Sequence, residues 1–377
     1  MKIPRTAARF ALALLFAIGA TSLSAAKTFV YVSAAQDGTI DAYAMDSGTG
    51  ALTPIGKTEA AKIVMPMAVA PNKKHLYAVV RSQPLRVFTY AIDPGTGALT
   101  QKATAPLPDS MPYVSTDRTG RWLFTASYGG DKLAVSPIGE DGLVMAEAVQ
   151  IIPTGRNAHS ILPARSNRYV YACTLGANQV LQFSFDAKTG KLTPNKPPAV
   201  SPPPGHGPRH MAFSPDDKFL YVVNELSGYV TQYAIDPVQG TLTLVDNISS
   251  VPAEAGLEWG KARPPDPPAD EKPVWAADIG ITPDGKFLYS TERTTSKIAL
   301  FTVAPGTGKL TYVTNFATET QPRGIRIDPH GRYLIASGEK SDHLSVYKID
   351  PSSGKLGEPT RYPVGNGANW VEIVEVE

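Results

Sequence analysis

The 377-residue sequence is short of cysteine, of charge imbalance and of helical patterning. Its single cysteine, Cys173, has no partner for an internal disulfide, and a Cys-rich zinc module is excluded. Lysine plus arginine number 36 against 34 aspartate plus glutamate, a net charge of +2. That balance carries no footprint for DNA or RNA, so no nucleic-acid partner is expected. Apolar residues do not recur at the helical spacing; they alternate at period two between Gly, Pro, Asp and Asn. No Gly-rich phosphate loop and no Ser nucleophile elbow is present. Neither a metal nor an organic cofactor is expected.

The one long apolar run, Phe10 to Ala20, follows Lys2, Arg5 and Arg9 and precedes Ser24, Ala25 and Ala26. A basic start, a short apolar stretch and small residues at −3 and −1 of a cut after Ala26 make a secretory signal peptide. The run is well short of the roughly 20 residues that span a bilayer. The expectation is a cleaved leader over 1–26. The mature chain, 27–377, is then periplasmic or secreted, with no membrane association after cleavage.

What the sequence does hold is repetition. Short β runs recur with an aromatic residue at one fixed place: Tyr31, Tyr77, Phe124, Tyr171, Tyr221 and Tyr289, with Ile335 in the seventh copy. Successive spacings are 46, 47, 47, 50, 68 and 46 residues. A second marker, a turn of the form DxxTGxLT, carries Gly50, Gly97, Gly142, Gly190, Gly240, Gly308 and Gly354. It repeats with almost the same intervals and the same outlier. A unit of about 50 residues matches a four-stranded propeller blade. A third marker is a strand before each PDG-like turn, as in 208–215 and 322–329, and its last copy, 369–376, lies at the C-terminus. The fold expected is therefore all-β: a seven-bladed β-propeller of four-stranded antiparallel blades. Its N- and C-terminal strands share one blade, which removes open sheet edges. The long interval holds a Pro-rich insertion within 250–274, read either as a lid or as a surface decoration.

In such a blade the start of the inner strand and the end of the second strand lie at the same mouth of the central channel. The first position collects Met65, Pro112, His159, Arg209, Ala277 and Arg323, followed by His210 and Asp278. The second collects Ala35, Arg81, Tyr128, Leu175, Glu225, Arg293 and Glu339, flanked by Glu292 and Lys340. Arginines of this kind hold phosphate or carboxylate, and a carboxylate or His159 among them could serve as base on a water. The same pairs could also be ion pairs between blades. Arg81, Arg323, Glu339, Asp278 and His210 are assigned to substrate binding. His75 and His330 fall at the opposite mouth as surface residues. Trp275 reads as a core or rim aromatic, and Cys173 as a small buried apolar residue.

Three segments carry a resemblance: GHGPRHMAFSPDDKFLYVVNEL (205–226), WAADIGITPDGKFLYSTERT (275–294) and TETQPRGIRIDPHGRYLIASGEKSDHLSVY (318–347). They resemble bacterial 6-phosphogluconolactonases of the seven-bladed propeller type, a family that includes fungal carboxy-muconate cyclases. The resemblance implies hydrolysis of a small-molecule sugar lactone without metal. From the muconate branch it implies a catalytic set at His159, Arg209, Glu225 and Arg293, with water activated by Glu225 or His159. One departure matters: the family's phosphorylated lactone is made in the cytosol, and this chain carries an export signal. Two other functions fit the residues, a non-catalytic exported binding propeller and a muconate-type lactonising cycloisomerase.

Overall fold

Val, Ile, Tyr, Phe and Thr dominate the runs between turns, and these side chains favour a pleated, half-buried backbone. The computed structural model describes Met1 and residues 26–262 and 271–376. These residues form seven four-stranded antiparallel sheets. A 3-10 turn, Ala253–Ala255, is the sole helical element among the described residues. The inner strands, in blade order, are Ala368–Val376, Val64–Val69, Tyr113–Thr116, Ala158–Pro163, Pro208–Phe213, Ala276–Ile281 and Pro322–Ile327. Closure is as expected: Lys27–Ala34 pairs antiparallel with Ala368–Val376, from Lys27 opposite Val376 to Ala34 opposite Ala368. The first and last described strands thus lie side by side in the first blade.

The insertion sits between the outer strand Leu242–Ser249 of the fifth blade and the inner strand of the sixth. Its described stem is tied to the blade, because the Gly260 N–H donates to the Leu226 carbonyl at 2.7 Å. Pro264, Pro265, Pro267 and Pro268, like residues 2–25 of the expected leader, lie outside the described residues.

The two sequence markers prove to be two halves of one contact between blades. The Tyr31 hydroxyl donates to the Gly97 carbonyl of the next blade at 2.8 Å. The same bond joins Tyr77 to Gly142, Tyr171 to Gly240, Tyr221 to Gly308 and Tyr289 to Gly354, at 2.6–3.0 Å. Where Phe124 and Ile335 lack the hydroxyl, a neighbour supplies the donor. Trp122 Nε1 reaches the Ala187 carbonyl at 3.0 Å, and the Tyr333 hydroxyl reaches Gly48 at 2.6 Å. Two residues before each marker, another ring lies on the turn glycine itself. His75 is one of these rings. It is half-buried against Gly142 and stacked on Tyr77 (6.5 Å between centroids), so the surface role expected for it is corrected. His330 does lie at the surface, bonded to Glu375 at 2.6 Å.

Gly308 meets two demands at once. Its φ is +64°, and a Cβ there would fall 2.5 Å from the Phe219 ring. Gly306, in the same turn, has φ +76° but open space around it. Both changes to alanine incur the left-handed penalty of about 1–2 kcal/mol. Only Gly308→Ala adds the overpacking cost of about 1–3 kcal/mol. Denaturant unfolding should therefore find Gly308→Ala clearly less stable than Gly306→Ala; equal losses would contradict the contact.

Candidate active site

Six of the seven inner strands do not start as regular ladders. Pairing with the second strand skips between Ala158 and Ser160, between Pro208 and His210 and between Pro322 and Gly324. The residues skipped are His159, Arg209 and Arg323. A bulge re-aims the side chain it carries, and bulges gather beside active sites for that reason. Two residues earlier the backbone is left-handed, with φ of +61° at Asn157, +70° at Gly207 and +55° at Gln321. The carbonyl of that earlier residue accepts the N–H at the end of the second strand. Glu225 donates to Gly207 at 2.8 Å, Arg293 to Trp275 at 3.1 Å and Glu339 to Gln321 at 3.0 Å. One repeated piece of backbone thus brings the two collected positions together at one mouth.

There Arg81, Pro112, Tyr128, His159, Arg209, Glu225, Trp275, Arg293 and Arg323 line a pocket. Glu225 is its electrostatic centre. One carboxylate oxygen accepts from Arg209 Nε at 2.7 Å and from Arg293 Nη2 at 2.9 Å. Arg209 Nη1 also donates to the Ala277 carbonyl at 2.5 Å. Arg293 lies 3.8 Å over the Trp275 ring and donates from Nε to the Trp275 carbonyl at 3.1 Å. Glu339 stands at the edge, 3.5 Å from Arg323 and 4.0 Å from Arg293. Four guanidinium groups face one lining carboxylate, so the pocket is electropositive, and arginine does not relieve this by losing its proton.

Burial and charge set the ionisation. Burial pushes the Glu225 carboxyl up, but Arg293 and Arg209 outweigh it and hold it below its usual range. Burial, reinforced by Arg209 and the other cations, holds His159 well below the usual imidazole value. His159 is therefore an uncharged imidazole at neutral pH. Three buried polar atoms on lining residues have no hydrogen-bond partner: His159 Nδ1, Arg209 Nη2 and Arg323 Nε. Each such atom costs about 1–3 kcal/mol when left unmade.

Not every expected residue reaches the pocket. His210 and Asp278, expected to bind substrate, lie behind Arg209. His210 Nε2 is 3.1 Å from Arg209 Nη1, and its Nδ1 is 2.8 Å from Asp278. Rings of Tyr113, His210 and Trp370, from three blades, meet across the channel at 5.0–5.8 Å between centroids. Glu292 caps its own turn, accepting from Trp275, Thr294 and Thr295 at 2.6–3.1 Å, and Lys340 is exposed. Cys173 is fully buried, as expected. Trp275, read as a core or rim aromatic, lines the pocket from the position that Gly207 holds one blade earlier. One position was missed. Asn369 is the seventh inner-strand position, skipped in the pairing like the others. Counting that register forward into the terminal strand would have found it. Among the described residues, no three His, Cys, Asp or Glu side chains converge as a metal site.

The family model described as "Lactonase, 7-bladed beta-propeller" matches residues 29–373. The chain is 42% identical over 349 residues to the 6-phosphogluconolactonase of Serratia proteamaculans, covering 92% of this chain and 99% of that protein. It is 39% identical over 348 residues to the 6-phosphogluconolactonase of Pectobacterium carotovorum, with the same 92% and 99% coverage. The periplasmic gluconolactonase of Pseudomonas aeruginosa superposes with a TM-score of 0.81 at 26% identity, over 94% of this chain and 99% of that one.

The buried histidines predict how stability varies with pH. Unfolded histidine takes up a proton near pH 6.5. Folded His159 and His210 resist it, His210 down to about 4, chiefly through burial. Below about pH 6.5 the unfolded chain binds more protons, so stability falls with pH through that window. Thermal midpoints measured from pH 7 to pH 5 should drop; a flat or rising midpoint would contradict neutral buried imidazoles.

Proposed function

The chain belongs to the seven-bladed β-propeller lactonase family, and on that premise we propose that it hydrolyses a sugar lactone at this mouth pocket. The carrying observation is the trio of partnerless buried atoms on His159, Arg209 and Arg323. They supply one base, one donor for the carbonyl oxygen on Arg209 and one donor for the rest of the sugar on Arg323, all in one pocket. Ester hydrolysis needs a base for water and positive donors where the carbonyl oxygen becomes negative.

His159 is the base in this reading. Its lone pair is not consumed by a proton, because burial keeps the ring neutral. Glu225 serves differently. Its shared oxygen is occupied by two guanidinium groups and its basicity is lowered by them. Its task is to hold Arg209 and Arg293 side by side against their repulsion. The step then runs as follows: His159 takes a proton from water, and the hydroxide oxygen bonds to the lactone carbonyl carbon. Arg209 and Arg293 stabilise the resulting oxyanion. Collapse breaks the bond to the ring oxygen, which receives the proton back from His159. Arg81 and Arg323 hold the remaining polar or acidic groups of the sugar. We also propose export through the leader at 1–26. That places the substrate outside the cytosol and favours unphosphorylated aldonolactones.

The experiment is a pH-stat assay of mature protein on plain and phosphorylated sugar δ-lactones. Turnover above the spontaneous rate is expected, with the plain lactone preferred. His159→Gln should lower kcat/KM by about 10²–10⁴-fold, and Arg209→Ala by about 10²–10³-fold, with folding intact by circular dichroism. Wild-type rates in either variant would remove that residue from the site. No turnover by the wild type would favour a binding propeller, and turnover on muconates alone a cycloisomerase.

A further inference from the structure

Arg209 has more anchors than a surface ion pair needs, and their order is informative. Nε is held by Glu225 at 2.7 Å and Nη1 by the Ala277 carbonyl at 2.5 Å. Nη1 also meets His210 Nε2 at 3.1 Å, which leaves Nη2 without a partner. A guanidinium has no acceptor, so His210 Nε2 must present a lone pair to it. The proton of the neutral ring then sits on Nδ1 and is donated to Asp278 Oδ1 at 2.8 Å. Asp278 is itself fixed to the scaffold. It accepts from the Ile279 N–H at 3.0 Å and from the Ile325 N–H of the next blade at 2.9 Å.

We propose that Asp278 and His210 are positioning residues for Arg209. Asp278 selects the Nδ1–H tautomer of His210, and that tautomer holds the guanidinium in one rotation, with Nη2 left for the substrate oxygen. Neither residue lines the pocket, so both act through Arg209. Outer partners that fix a tautomer orient the group in front of them, and misplacing a catalytic group by about 1 Å costs about 10²-fold in rate. The groups facing His210 are consistent with a neutral ring. Arg209 on its own strand and Arg323 on the seventh blade oppose protonation. Asp278 on the sixth blade alone favours it, while His159 and the Tyr113 and Trp370 rings close the remaining sides. The activity arm of this inference rests on the lactonase reading above; the tautomer arm does not.

Two substitutions separate positioning from packing. Glutamine places a polar atom where Nε2 was and can still accept from Arg209. Asparagine places one where Nδ1 was and can serve only Asp278. His210→Gln should keep kcat within about threefold of wild type, and His210→Asn should lose about 10²-fold in kcat with KM little changed. Thermal unfolding of both checks the fold. Equal losses, or no loss in either, would overturn the positioning role. Independently, ¹⁵N NMR of histidine-labelled wild type at pH 7 should show His210 protonated at Nδ1 and bare at Nε2. An Nε2–H tautomer or an imidazolium would overturn the inference whatever the turnover. A wild type with no lactonase activity would instead count against the function and leave the tautomer result to decide the relay.

Discussion

A ring lying on a glycine, with a tyrosine hydroxyl or, at one junction, the Trp122 indole N–H reaching a carbonyl of the same turn, joins each blade to the next. The contact works only if the turn residue has no side chain and a left-handed backbone. Gly97, Gly240 and Gly308 have both properties. Because it recurs at every junction, it sets the angle between blades and therefore the radius of the channel. Hydrogen bonds between the strands Lys27–Ala34 and Ala368–Val376 complete the circle in the first blade. The mouth pocket inherits its geometry from that circle. Residues from blades far apart in sequence converge there, and His159, Arg209 and Arg323 each sit at a bulge at the start of an inner strand.

The pocket then works against the ordinary preferences of charge. Arg209 and Arg293 are almost fully buried, and bringing two guanidinium groups together out of water is unfavourable unless a carboxylate lies between them. Glu225 meets that need, bonding both through one oxygen. The same dry, cationic surroundings keep His159 unprotonated. In the proposed mechanism a base and a set of preorganised donors thus arise from one cause, burial beside fixed positive charge. Behind them, His210 and Asp278 tie the guanidinium to two further inner strands.

Much of this was legible in the residues. Blade number and ring closure could be read because the two repeating motifs are partners in one contact and so must occur equally often. The rim could be collected because strand alternation fixes which end of a strand meets which mouth. Register does not reveal what a bulge does to the side chain beside it. Arg209 and His210 are sequence neighbours, yet the bulge sends one to the pocket and the other behind it. Glu292 looked like a rim carboxylate, but the two threonines after it supply a turn for it to cap. His75 looked like a surface histidine because imidazole is polar. In its place in the repeat it does the work of a ring, as Phe29 and Trp122 do elsewhere.

The account depends most on His159 being held neutral by a buried cationic pocket. The direct measurement is the pH dependence of kcat/KM on an uncharged sugar δ-lactone, corrected for spontaneous hydrolysis. An uncharged substrate leaves the enzyme as the only source of a titration. The account predicts a rate that stays level from neutral pH through 6.5, the ordinary imidazole value, and falls only well below it. An acid limb centred at about 6.5 or above would mean a solvated, protonatable histidine, and would contradict the site described.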